Sequence, residues 1–96
     1  MDNQVLLNIL YDYYGELLTD KQKNYFKDYY FDNLTLSEIS ENYHISRNAI
    51  HKSLKEIVEK LLYYEEKLKL YEKNNKIKNI IADLDDDIKS KIIDLI

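Results

Sequence analysis

The chain contains no cysteine, no proline, no tryptophan and a single glycine, Gly15. Without cysteine there is no disulfide framework, no thiolate metal site and no cysteine nucleophile; a small domain without disulfides fits the cytoplasm. Strand-and-turn folds need glycine, proline and Asn-Gly punctuation, which leaves an all-α fold. No long apolar run is present. The N-terminal Met1-Asp2-Asn3-Gln4 is acidic and polar, and the apolar stretch after it is broken by Asn8 and Asp12, so neither a signal peptide nor a membrane-inserted segment is expected. A basic excess is also missing: 14 Lys and Arg stand against 18 Asp and Glu. The formal net charge is -4, the pI about 5.1, and Arg47 is the only arginine. Free-standing nucleic-acid binders usually carry a basic excess, because phosphate contacts dominate their affinity.

The 96 residues suffice for one domain, residues 1–96. The most informative stretch is Leu34 to Ile50. Thr35 and Glu38 form a T-x-x-E capping box, in which each side chain bonds the other residue's amide. Leu34 and Ile39 hold the staple positions around it. Ser46 is a second N-cap, flanked by Ile45 and Ile50. Two capped helices with so short a connection predict a helix-turn-helix over residues 35–60, with a C-terminal helical arm over 61–96.

The other elements follow from apolar spacing. Val5, Leu6, Ile9, Leu10 and Tyr13 predict helix one over 3–14, with Gly15 as its stop. Thr19 and Gln22 open helix two with a T-x-x-Q box, and it runs to about Phe31. Helix three spans about 36–42. Helix four starts after Ser46 and continues without a break to about Lys73. Its apolar positions Ile50, Leu54, Ile57, Leu61, Tyr64, Leu68 and Tyr71 step by 4, 3, 4, 3, 4, 3, a heptad seam. A helix of roughly 27 residues is about 40 Å long and needs cover along its far half. Lys73-Asn74-Asn75-Lys76 reads as a polar junction. Ile77, Ile80, Ile81 and Leu84 then predict a short helix. Asp85-Asp86-Asp87 opens a last one at the dipole-favoured end, whose apolar side is Ile88, Ile92, Ile93, Leu95 and Ile96.

Candidate functional residues lie at the start of helix four. With Ala49, Ile50 and Ser53 turned inward, Arg47, Asn48, His51, Lys52 and Lys55 face outward. In a nucleic-acid reading the first four reach base edges, while Lys55 and Lys60 meet phosphates. Across residues 35–60 four basic side chains are matched by Glu38, Glu41, Glu56 and Glu59. A plain solvated face is therefore the competing reading. Tyr11, Tyr13, Tyr14, Tyr25, Tyr29 and Tyr30 could stack bases, but they fall at helical spacing among leucine and isoleucine, as core residues do. Two histidines without carboxylates at ligand spacing make no metal site. There is no paired nucleophile and base and no glycine-rich phosphate loop, so no enzyme and no cofactor are expected. The seam serves either a homodimer or packing within the chain. Tyr64 and Tyr71 suit a loose bundle, and a homodimer is expected in which helix four meets helix one or the terminal helices of a second copy.

Four blocks carry a family resemblance: Leu18-Thr19-Asp20-Lys21-Gln22-Lys23, Tyr29 through Ser40, Ile45-Ser46-Arg47-Asn48-Ala49-Ile50 and Tyr64-Glu65-Glu66-Lys67-Leu68. The first three are similar to region 4 of sigma factors, and the last, with Leu10-Tyr11-Asp12-Tyr13-Tyr14-Gly15, resembles the YlxM-like family of small bacterial proteins. The resemblance implies a sigma region 4-like helix-turn-helix, winged-helix-like without a wing, with a long recognition helix. It also implies a regulatory link to the signal recognition particle pathway, with that particle's GTPase or RNA as partner. The alternative is a transcription regulator that binds specific DNA. One position departs from the common motif: His44 stands in the turn where glycine is frequent, and a left-handed conformation there is expected to carry a cost.

Overall fold

The computed structural model describes residues 3–96, which form six α-helices and no strand. Helix α1 is Gln4–Tyr14, started by the Asn3 side chain, which accepts the Leu6 N–H at 3.0 Å. Its buried face is Leu7, Leu10 and Tyr14. A 3-10 turn, Gly15–Leu17, follows. Gly15 is right-handed (φ -56°), so it is not a left-handed stop. A Cβ there would lie 3.1 Å from the Tyr11 ring, and that close approach is what its missing side chain allows.

Helix α2, Asp20–Phe26, begins with the expected box. Thr19 accepts the Gln22 N–H at 3.1 Å and Gln22 accepts the Thr19 N–H at 3.0 Å. It widens into a π-helical turn, Lys27–Phe31, closed by the Asp32 N–H on the Lys27 carbonyl at 2.9 Å. The wider turn brings residues four and five apart onto one side. Tyr30 and Phe31 therefore both meet Phe26, at ring-centroid distances of 4.6 and 5.7 Å. Tyr11 stacks on the other side of Phe26 at 4.5 Å.

Helix α3 is Leu36–Tyr43, with both bonds of the Thr35–Glu38 box formed. His44 ends it in the left-handed region, φ 56° and ψ 40°. The Ile45 N–H reaches back to the Ser40 carbonyl at 3.2 Å, and the Ser40 hydroxyl donates to the Ile45 carbonyl. Ser46 then accepts the Ala49 N–H at 3.1 Å and opens α4, Arg47–Leu68. Leu34, Ile39, Ile45 and Ile50 all join one core cluster, as the staple positions require. Because His44 carries a Cβ in a region that penalises it, His44→Gly is expected to stabilise the fold by about 1 kcal/mol. The midpoint of urea unfolding by circular dichroism checks this, and a lower midpoint contradicts it.

Helix α4 is the spine. Ile50, Leu54, Ile57 and Leu61 are fully buried, and the helix packs on α1, α2 and α3. It does not run on to Lys73. Lys69 is left-handed (φ 55°), and a new helix, α5, spans Leu70–Ile80. The polar stretch at 73–76 lies inside α5 and is not a junction. Tertiary partners cause the break. The Tyr14 hydroxyl accepts the Leu70 N–H at 3.1 Å, and the Glu65 carboxylate accepts the N–H groups of Tyr71 and Glu72, both at 3.1 Å. Three amides left without intrahelical partners at the start of α5 are thereby satisfied. Tyr14 donates to Glu65 at 2.6 Å, tying the two caps together. Asn74 donates to the Tyr13 hydroxyl at 2.6 Å. The end of α1 thus holds α5 against it.

Helix α6, Asp86–Ile93, starts with the acidic turn expected of it. Its apolar side does not fold back on α4: Ile88, Ile93, Leu95 and Ile96 stay exposed. In α5, α6 and their connection only Ile81 is buried. The molecule is elongated, 54 × 24 × 23 Å.

Candidate nucleic-acid interface

The side chains singled out by sequence sit together on the first three turns of α4. Ile50, Leu54 and Ile57 point into the core, so at 100° per residue positions 48, 52 and 55 fall on the opposite side. Arg47, Asn48, His51, Lys52 and Lys55 are all exposed; Ala49 and Ser53 are half-buried, as expected. Leu36 of α3 joins Ser46, Arg47, Asn48 and His51 in lining a shallow depression of about 480 Å³. The tight turn at His44–Ser46 brings the two helices to this common rim.

The charge on this face is mixed. Glu56 and Glu59 are exposed, one turn beyond Lys52 and Lys55 on the same side. Glu38 accepts the Thr35 amide proton in its capping box. Lys60 is half-buried and donates to Gln22 at the start of α2, at 3.4 Å; it braces two helices instead of reaching outward to a phosphate. The basic part of the surface is therefore confined to residues 47–55.

The heptad seam is used inside the chain. Ile50, Leu54, Ile57 and Leu61 are in the core, and the Tyr64 ring lies 5.9 Å from Tyr14 of the same chain's α1. Leu68 is half exposed at the joint, and Tyr71, now on α5, meets Tyr13 at 6.1 Å. The chain's own α1 fills the place along these positions that a second copy was expected to take. The tyrosines are core as well: Tyr14, Tyr25 and Tyr30 are buried and Tyr11, Tyr13 and Tyr29 half-buried, with no exposed stacking platform among these six.

Sequence reading missed the polar cluster at the α4–α5 joint. Burial, then the hydrogen bond to Glu65, pushes the Tyr14 hydroxyl up to about 12. Its only sequence signal was Tyr14 lying on the buried face of α1, where a hydroxyl needs a partner. No helix among the described residues is long and apolar enough to cross a membrane.

Comparison with known proteins fits this geometry. A family described as "Putative helix-turn-helix protein, YlxM / p13 like" matches residues 1–95. A UPF0122 protein of Shouchella clausii is 39% identical over 84 residues, covering 88% of this chain and 77% of its own length. One from Bacillus licheniformis is 42% identical over 84 residues, with 88% and 78% covered. One from Desulforamulus reducens is 48% identical over 67 residues, with 70% and 57% covered. With a helix-turn-helix at its centre and a match along almost its entire length, the chain belongs to the UPF0122 family of YlxM/p13-like proteins.

Proposed function

We propose that this protein is a regulatory helix-turn-helix protein that engages a component of the signal recognition particle pathway, its GTPase or its RNA. The observation that supports a recognition role is the cluster of five exposed polar side chains, Arg47, Asn48, His51, Lys52 and Lys55, on a helix whose opposite face is locked in the core. The pathway itself rests on the resemblance to the YlxM-like family. The net charge of -4 suits a protein partner at least as well as a polyanion. A tagged pull-down from native lysate, with and without nuclease, tests it. Recovery of the targeting GTPase or its RNA supports the reading, and nuclease sensitivity says whether RNA bridges the two. Recovery of neither overturns it.

A second reading, specific DNA binding, is favoured by one feature: neither α5 nor α6 covers the start of α4. In this reading Arg47, Asn48, His51 and Lys52 reach base edges and Lys55 meets a phosphate. Arg47→Ala with Lys52→Ala is then expected to weaken binding by roughly tenfold to a hundredfold for each of the two side chains removed. The far-UV spectrum should not change, because both side chains are exposed. A DNA footprint unchanged by both substitutions would falsify this use of α4.

A further inference from the structure

The end of α1, the outer side of α5 and the last residues form a groove of about 600 Å³. Its apolar lining is Tyr13, Leu70, Ile77, Ile93, Leu95 and Ile96. The four leucine and isoleucine residues other than Ile77 are 38–85% exposed, and on the same arm Leu68, Ile80, Leu84 and Ile88 are 43–79% exposed. Helix α6 is only 8 residues long and buries none of them. Helices that short are marginal in water unless an apolar face is covered.

We propose that this groove is the interface between two copies of this chain, related by a two-fold axis. Two arguments select a second copy. The first is area. At roughly 120 Å² for a fully exposed leucine or isoleucine side chain, the four that line the groove leave about 240 Å² of apolar surface on each copy, and Leu68, Ile80, Leu84 and Ile88 elsewhere on the arm leave about 260 Å² more. One side of a standard interface is about 800 Å², and homodimer interfaces are about 65% apolar, so the groove alone supplies about half of the apolar area needed and a second copy seated in it must also lie along the rest of the arm. The second is charge. The lining carries both signs, Asp12 from α1 and Lys73 and Lys78 from α5. Among the described residues these three form no ion pair within their own chain. In a two-fold contact, each residue that meets a second one is met by it in return. Asp12 of one copy set against the lysines of the other therefore satisfies both halves at once. An acidic or a basic partner would complement one half only.

This inference does not rest on the proposed function, and its test reads association alone. Light scattering over a concentration series should give twice 11.6 kDa for the unaltered chain. Leu95→Asp changes a side chain that is 85% exposed, so the fold should survive while association weakens by at least about thirtyfold. Asp12→Lys alone, and Lys73→Glu with Lys78→Glu alone, should each run as monomers, and a mixture of the two should restore a heterodimer. A species of 11.6 kDa at every concentration overturns the proposal. So does a Leu95→Asp chain that associates as tightly as the parent, or a charge-swapped mixture that stays monomeric.

Discussion

Phe26→Ala is expected to remove about 4 kcal/mol of stability, the middle of the range for losing a fully buried aromatic ring. Phe26 has no exposed surface and sits between Tyr11, Tyr30 and Phe31, at 4.5, 4.6 and 5.7 Å. Truncation removes three ring contacts at once and leaves a cavity between Tyr11, Tyr30 and Phe31. For a domain of this length the loss corresponds to a fall in Tm of roughly 20 °C. Denaturant unfolding followed by circular dichroism measures it. A loss below about 1 kcal/mol would mean that the site repacks freely and that the aromatic cluster does not organise the core.

Glu65→Ala should come next, at about 2 kcal/mol, because it leaves the Tyr14 hydroxyl and the Tyr71 and Glu72 amides without their shared acceptor. The loss should be local. Amide exchange is expected to speed up across Leu70–Ile80 while Ile50 and Leu54 stay protected. Uniform loss of protection would show that the joint is not a separate unit. The same cluster predicts an alkaline limb. Tyr14 is pushed from its ordinary value of 10.0 up to about 12, chiefly by burial and then by its bond to Glu65. A group raised on folding contributes stability that is complete below the unfolded value and lost as pH climbs through the folded one. Here that window runs from pH 10 to about pH 12. Tyr43, raised by burial and by its bond to Asp28, adds a part in the same direction. Tyr14→Phe should therefore flatten most, but not all, of the decline. An unchanged slope would remove Tyr14 as its source.

The parts of the fold written in the sequence are those whose causes are local. Thr19 with Gln22, Thr35 with Glu38, and Ser46 each satisfy amides within three residues, so three helix starts were legible to the residue. The outward set from Arg47 to Lys55 was legible for the same reason: helical periodicity fixes it once Ile50 and Leu54 are assigned to the core. The break at Lys69 was not. Leu68-Lys69-Leu70 contains no glycine, proline or N-cap residue, and the groups that cap α5 come from Tyr14 as well as from Glu65, more than fifty residues apart in the chain. A heptad pattern that runs on through Tyr71 reports which residues are apolar, and it is blind to a bend that keeps Tyr64 and Tyr71 packed on α1 while Leu68 is left half exposed. Lys60 misled for a related reason, since its partner Gln22 lies 38 positions away.

Three connections between helices turn through left-handed residues, Asn33, His44 and Lys69, with φ of 56°, 56° and 55°, and none of them is glycine. A glycine there would move among several backbone wells at little expense. A residue with a Cβ has one narrow left-handed well, bounded by clashes on every side. Each of these joints therefore has fewer backbone settings open to it than a glycine would have. Of the three, only Lys69 lies between the start of α4 and the arm, so the direction in which the arm leaves the helix-turn-helix is set by one left-handed residue and by the Tyr14–Glu65 cluster that caps α5 beside it.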